Sequence, residues 1–515
     1  MNIDSVNPAT GEKIGQVEST PTNHFSRILE EARTAQQEWV RLPFQTRARL
    51  LRDFASLLLK RKRTVAELIS KENGKPLVEA YSSELIPGLD IVRYYAKRSR
   101  KILRSRHVGI SIPLLKTKRA FVNYEPYGVV GIISPWNYPL MLPLSQIVPA
   151  LMAGNAVIFK PSEHTPLTGG LIGDFMWEAG LPRKLLAVVQ GAGDVGAALV
   201  SSGVDKVFFT GSTSVGRRVS ESAAKNLTPV SLELGSKDAM IVLDDVDIDV
   251  ATSGAIWGAF MNAGQTCVSV ERCFVHEKIF DSFVSMLQKK IKDLQVGPGT
   301  ADGTDIGAII HRAQFEIVKN QVNDATARGA RIATGGIFSD KGGVHFVPPT
   351  VLVDVPMDSL LMKEETFGPV LPIVEFRSDA EAIDLANASK FGLSASVWTR
   401  DAKHGMEIAK KLRAGAAIVN DVISYYGIID GVVGGVKESG SGRTHGKEGL
   451  LEMVWPKYYE VERLPQMKKL WWYKYDKTTL SFFETATDFL FSKNIFNKLS
   501  SLFKLAPKIL RIKKT

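Results

Sequence analysis

The chain has 515 residues, 65 basic and 54 acidic side chains for a net charge of +11, 44% apolar residues and only 2 cysteines. That length calls for two or three domains, and two cysteines exclude a disulfide framework and point to a reducing compartment. No apolar run reaches the roughly 18 residues that a membrane span needs, and the opening MNIDSVNPATGEKIG lacks the basic-then-apolar pattern of an export signal, so a cytoplasmic location is expected.

The first predicted elements are helical. Residues 25–40, 47–71 and 77–102 carry apolar side chains at three- and four-residue spacing, as in Leu50, Leu51, Phe54, Leu57 and Leu58, which predicts three amphipathic helices. From Gly128 the period changes. VVGIIS, AVIFK, AVVQ, KVFFTG and VSLELG are short β-branched or aromatic runs separated by helix-length segments with glycine or proline at their edges. Such alternation predicts a parallel sheet covered on both faces. A second strand–helix series from Ala239 to about Val433 predicts another α/β domain, and no internal repeat interrupts either.

Ligands of open α/β sheets bind outside the carboxyl ends of the strands, so the residues that follow each strand are the candidates. FTGSTSVG, ending at Gly216, reads as strand, glycine turn and helix start, with Gly211 and Ser212 where free N–H groups suit a phosphate; an ordinary capped junction fits equally. Free cysteines are most often buried packing, which describes Cys273 in ERCFVH. Cys267 instead follows Gly264-Gln265-Thr266, a turn that can present a thiol to a cavity. Asn137, just after a strand, reads from its neighbours as the cap of a helix beginning at Pro139. Glu233 lies opposite Leu232 and Leu234 in the strand alternation and reads as a solvated strand end.

The motifs PWNYP (135–139), KPSE (160–163), FTGSTSVG, LELGSK (232–237), NAGQTC (262–267), EETFGPV (364–370) and GGVKESGSGR (434–443) occur together in this order. In this the chain resembles the NAD(P)-dependent aldehyde dehydrogenases over roughly residues 5–462. The resemblance implies an aldehyde-dehydrogenase-like α/β fold, with a Rossmann-type NAD-binding domain over 1–106 and 127–235, to which 439–452 return, and a catalytic domain over 236–438. Strands of 107–126 and 453–464 would form an oligomerisation element of a homodimer or homotetramer. It further implies that Cys267 attacks the aldehyde, that Asn137 and the Cys267 N–H hold the oxyanion, and that Glu233 activates the hydrolytic water. Trp136, Lys160, Ser162, Glu163, Gly211, Ser212, Glu365 and Phe367 would hold the cofactor. An acid at Glu163 that takes the ribose hydroxyls disfavours a 2′-phosphate, so NAD is expected ahead of NADP.

The sequence departs from the family pattern at Ser236, where glycine is usual, and at Val432–Gly435, which lacks Pro-Phe. It departs also at Gln146, where lysine is common, and at Ser145, where a large aromatic is common and where a roomier entrance is expected. The eight histidines show no HExxH and no cysteine pairing, so a metal-free site is expected.

Residues 466–515 differ in composition from the rest: eleven Lys/Arg against three Asp/Glu, and ten of the 44 aromatics. KKLWWYKYDK mixes cations with interfacial aromatics, and 488–505 place Phe491, Ile495, Leu499, Leu502 and Phe503 on one helical face. Such a tail can lie at a bilayer surface, peripheral to the membrane; docking on the protein or a second subunit is the alternative, and nothing accompanies its cations to suggest nucleic acid. With the tail, a tunnel widened by the small Ser145 and the missing Pro-Phe, and no arginine beside Cys267, the expected activity is oxidation of apolar, long-chain aldehydes to acids. A CoA-acylating or succinate-type semialdehyde dehydrogenase and a catalytically silent membrane-associated homologue are the alternatives. The CoA-acylating reading is disfavoured by the water-activating Glu233, since transfer to CoA needs no such base, and the silent homologue by joint retention of Asn137, Glu233 and Cys267.

Overall fold

In the computed structural model, residues 2–512 are described. They divide into two compact units, one made of Met1–Arg104 and Tyr124–Pro456, the other of Ser105–Asn123 and Lys457–Thr515.

The first unit holds both expected sheets. One has six strands in the order Gly440–Ser441, Val230–Glu233, Lys206–Thr210, Val129–Ile133, Ala156–Lys160, Leu186–Val188, parallel except for its short antiparallel edge. The central strands are buried along their whole length, as runs such as AVIFK require when helices cover both faces. Strand order reverses around Val129–Ile133, whose neighbours are Ala156–Lys160 on one side and Lys206–Thr210 on the other, so a crevice opens at its carboxyl end. The second sheet has seven strands, ordered Arg331–Thr334, Thr350–Val353, Val370–Phe376, Val270–His276, Asp238–Val242, Ser394–Trp398, Ala416–Val419; only the first pair is antiparallel.

The helices depart from the predicted boundaries. Phe25–Trp39 is as read, but the segment expected as one helix over 47–71 is two, Phe44–Lys60 and Lys62–Asn73. The chain leaves helical geometry at Arg61 (φ −105°, ψ 18°), whose guanidinium forks onto Glu178 at 2.6 and 2.7 Å. The third predicted helix contains a π turn over Ala80–Leu85, a feature often found beside functional sites. That turn carries Ser82, Ser83 and Glu84 toward the candidate site.

In the second unit Arg106–Val108 pairs antiparallel with the neighbouring strand, His107 opposite Phe121. Phe121 stacks on Tyr459 at 5.4 Å, and Lys118 is paired with Glu460. The tail folds as two helices, Lys477–Phe491 and Ile495–Ile512. The predicted continuous helix over 488–505 is therefore broken at Ser492–Asn494. Ser492 turns extended (ψ 136°), and Asn494 Oδ1 accepts the Phe496 N–H at 2.9 Å to start the second helix. Among the described residues no helix is long and apolar enough to cross a membrane.

Cys273 is fully buried in Val270–His276, opposite Met240 and Ile373 in the flanking strands. Cys273→Ala should cost about 1 kcal/mol of stability, since it removes one buried atom from a packed layer, and should leave aldehyde oxidation intact. Urea denaturation and a steady-state assay check this, and titration of the native protein with a thiol reagent should modify Cys267 and spare Cys273.

Candidate active site

Asn137, Lys160, Ser162, Glu163, Ser212 and Glu233 lie at or just past strand ends, Cys267, Glu365 and Phe367 lie in loops that run from a helix into Val270–His276 or Val370–Phe376, and buried polar contacts fix these loops in place. Val129–Ile133 runs into Ser134-Pro135-Trp136-Asn137. The Asn137 carbonyl accepts from Lys75 Nζ at 2.8 Å and Asn262 Nδ2 at 3.1 Å, while Asn73 Nδ2 donates to the Trp136 carbonyl at 3.0 Å. Asn262 Nδ2 also donates to the Gln265 carbonyl at 3.0 Å, so one amide ties the Asn137 loop to the Cys267 loop. Lys75 is fully buried, paired with Glu84 Oε1 at 2.9 Å, and lies 3.9 Å from the centroid of the Tyr138 ring. Glu84 Oε2 in turn accepts the N–H groups of Leu140 and Met141 at 3.1 and 2.8 Å.

Asn137 therefore does not cap the next helix. That helix is Met141–Ala153, and its first N–H groups go to Glu84. The Asn137 side chain is buried, with its Oδ1 unpartnered.

The loop before Cys267 is strained. Asn262 (φ 53°), Ala263 (φ 54°) and Gly264 (φ 71°) are consecutive left-handed residues, an arrangement that persists only where its surroundings over-determine it. At Gly264 a Cβ would lie 2.2 Å from the Gly368 carbonyl oxygen. Asn262 N–H donates to Glu79 Oε2, Gln265 Nε2 to the Ala308 carbonyl, and the Thr266 and Tyr138 hydroxyls meet at 2.7 Å. Ser236, whose hydroxyl stands where glycine is usual in the resembled pattern, donates to the Cys267 carbonyl. The result is a half-buried thiol on a loop pinned from four sides.

Carboxylates surround that thiol. Burial, then the charges of Glu233, Asp238 and Glu365, push Cys267 well above the ordinary thiol range. Glu233, expected as a solvated strand end, is buried with Oε1 unpartnered; its backbone carbonyl accepts the Gly211 N–H at 3.0 Å. Burial raises its pKa to about 8 against the opposing charge of Arg443. Burial likewise lifts Asp238 to about 7 and raises Glu365, whose Oε1 accepts the Ser236 N–H at 2.8 Å. Glu364 is exposed and paired with Lys390.

The cofactor candidates line the crevice at the switch point. Lys160 is buried, with Nζ 3.2 Å from Glu163 Oε2; burial raises the Glu163 pKa, but the charge and hydrogen bond of Lys160, the residue's own backbone N–H and His164 together outweigh it and lower the pKa. Ser162 Oγ accepts the His164 N–H, and Ser212 Oγ caps Thr213–Ala224 by accepting from Val215. Trp136 meets Phe367 edge-on at 5.3 Å. Phe367 (φ 51°) is held by Glu271, which accepts the N–H groups of Thr366 and Phe367 and pairs with buried Lys237 at 2.6 Å. A cation beside an acid, a helix N-terminus capped by Ser212 and a pair of aromatics make up a set of groups suited to a dinucleotide.

A cavity of about 270 Å³ ends at Cys267. Met141, Leu142, Trp257, Met261, Ile423 and Tyr426 form its apolar walls, and among the described residues no charged side chain lines it. Arg93 lines an outer depression that shares Ser82, Pro87 and Gly427 with the cavity, and is paired there with Asp90 at 2.6 Å. Ser145 does not widen this space as expected: it is buried off the wall, its hydroxyl turned back to the Leu142 carbonyl at 2.7 Å. Gln146 donates to Thr210 Oγ1 at 3.0 Å. Sequence reasoning missed Lys75, Glu84 and Asn262's bridging role; the only local signal was the turn Asn73-Gly74-Lys75-Pro76 cutting an amphipathic run.

The family model described as "Aldehyde dehydrogenase family" matches residues 1–459. The 4,4'-diapolycopene aldehyde oxidase of Methylomonas sp is 40% identical over 492 residues, covering 96% of this chain and 92% of that protein. The NADP(+)-dependent succinate-semialdehyde dehydrogenase of Escherichia coli is 36% identical over 462 residues, covering 88% and 93%. Among solved structures, a betaine aldehyde dehydrogenase of Staphylococcus aureus in complex with NAD+ superposes with a TM-score of 0.87 at 32% identity, covering 92% of this chain and 96% of that one. This chain belongs to the aldehyde dehydrogenase family. It is an NAD(P)-dependent oxidoreductase acting on an aldehyde, on the α/β fold that family shares.

Lys75→Met should lower stability by about 3–5 kcal/mol, because it strands the Glu84 carboxylate in the interior. The double variant with Glu84→Gln, which keeps an acceptor for Leu140 and Met141 but no charge, should recover part of that loss. Chemical denaturation of both variants checks the energy, and kcat should fall more than KM rises in Lys75→Met as Asn137 loses its anchor.

Proposed function

We propose that the chain oxidises apolar aldehydes, long-chain or isoprenoid-like, to carboxylic acids, with NAD preferred over NADP. The uncharged cavity that ends at Cys267 carries this reading. An alkyl or polyene chain gains by leaving water against such walls, roughly 25 cal/mol per Å² of apolar surface. A second carboxylate would lie there without a cation.

The thiol must first lose its proton. Its raised pKa keeps it neutral at rest, and its proton passes to water as the aldehyde comes within reach. The thiolate adds to the aldehyde carbon, and the oxygen takes the negative charge. Asn137's side-chain amide and the Cys267 N–H are the neutral, fixed donors that would hold it. Lys160, Glu163, Ser162, Gly211, Ser212 and Trp136 would hold the dinucleotide and Glu365 and Phe367 its nicotinamide end, and NAD so bound would supply the hydride acceptor. Loss of hydride leaves a thioester on Cys267. Glu233 then takes a proton from the water that attacks the acyl carbon, which releases the acid and the thiol.

The match to the diapolycopene aldehyde oxidase supports the apolar reading. At 96% coverage it leaves too few residues outside to miss the tail, whereas the 88% of the succinate-type relative leaves room for the whole of it. The second reading, a succinate-type semialdehyde dehydrogenase, is favoured by the identity to that relative and disfavoured by the cavity. We also propose the sheet of the second unit as the homo-oligomer contact, since Tyr458 and Val461 stand exposed on it.

Steady-state rates on hexanal, hexadecanal and succinic semialdehyde, each with NAD and NADP, test the substrate. kcat/KM for hexadecanal should exceed that for succinic semialdehyde by at least about a hundredfold, the cost of burying an unpaired charge; a preference for the semialdehyde overturns the reading. Glu233→Gln should give a first-turnover burst of NADH and then stall, with hydrolysis reduced about 10²–10⁴-fold. In the unaltered enzyme Glu233 must be ionised to act, so deacylation should climb with pH to a half-maximum near the folded-state value of about 8. Rapid-mixing kinetics from pH 6 to 9 read both effects.

A further inference from the structure

The two tail helices pack along each other, the first burying Phe482 and Ala486 while the second leaves an apolar row exposed. The face of Ile495–Ile512 turned toward Lys477–Phe491 carries Ser501, which is buried, and Lys508, whose Nζ donates to the Ser481 hydroxyl, the Ser481 carbonyl and the Thr485 hydroxyl at 2.7–3.0 Å. The opposite face carries Ile495, Phe496, Leu499, Leu502 and Phe503, all exposed, and Phe491 at the end of the first helix extends it. Phe496 and Phe503 are 77% and 80% exposed. A pair of helices stabilised in water would bury that row and turn the lysine out. Here Lys508 and its three acceptors join the helices beside the buried Phe482 and Ala486, and the apolar row of the second helix stays exposed.

Lys493 and Lys504 are exposed beside the row, and eleven cations against three acids occupy residues 466–515. Trp472, Tyr473 and Tyr475, aromatics of the type that settles between headgroups and acyl chains, are exposed in the preceding segment. A protein partner could cover an apolar row; a negatively charged bilayer surface matches the row, the cations and the aromatics together.

We propose that this helical hairpin is an interfacial anchor: its Phe-rich face inserts among the lipids of an anionic bilayer while its lysines pair with the headgroups. The anchor's purpose, collection of aldehydes dissolved in the membrane, rests on the apolar reading of the substrate; its physical basis does not.

Sedimentation of the full chain with vesicles of phosphatidylcholine alone or mixed with phosphatidylglycerol tests it without any aldehyde present. Binding should require the anionic lipid, weaken as salt is raised, and fall at least about tenfold in Phe496→Asp/Phe503→Asp. Both positions are exposed, so the variant should keep its oxidation rate on a short soluble aldehyde and its mass by analytical ultracentrifugation. Failure to bind anionic vesicles, or undiminished binding by the double variant, overturns the proposal. So does a variant that drops to a smaller oligomer, which would assign the face to a second copy of the chain. If vesicles are bound and hexadecanal is not preferred, the substrate reading fails and the anchor stands.

Discussion

The Asn137 carbonyl is the point on which the site depends. It takes one hydrogen bond from an ammonium buried with Glu84 and one from the amide of Asn262, so the loop of the first sheet and the loop of the nucleophile share an anchor inside the protein. A buried ion pair gives little net stability, but removing one partner is costly, so the geometry it specifies is hard to lose gradually. Glu84 spends its second oxygen on the start of Met141–Ala153, and this helix supplies Met141 and Leu142 to the cavity. Asn137, Cys267 and the cavity wall at Met141 and Leu142 are thus positioned by one cluster on the π turn and its neighbours.

Electrostatics around the thiol point the same way. Three carboxylates and burial hold protons on the site at rest, so Cys267 is a neutral thiol for most of its life. Thiols in that state resist oxidation, because the thiolate is the species that oxidants attack. Reactivity comes only when a base accepts the proton with an electrophile in place. The strain at Asn262 and Ala263 serves this arrangement, since no relaxed turn would aim Cys267 into the cavity while leaving Gly264 against Gly368.

The sheet strands were legible because each is buried on both faces and must read as an unbroken apolar run; AVIFK admits no other placement. The break at Arg61 was not, because no glycine or proline marks it and the partner of its side chain, Glu178, is 117 residues away. Long-range partners account for the other misreadings. Asn137 looks like a cap until Glu84 arrives from another helix, and Glu233 looks solvated until the sheets close over it. Ser145 looks like added space, yet its hydroxyl satisfies its own helix, so a small side chain changed packing and left the wall untouched. Ser236 shows the opposite case: a mild departure in a turn proves to be a contact on the nucleophile's own backbone.

The uncharged cavity has a consequence for the end of the cycle. On the proposed apolar reading, the aldehyde that enters is neutral and would be held by dispersion and exclusion of water; the acid formed on Cys267 would be an anion near Glu233 and Glu365, with no charged side chain among the described lining residues to retain it. Oxidation therefore converts a welcome guest into an expelled one. Turnover carries its own ejection step, and an acid accumulating in the medium is a poor competitor for the site that made it.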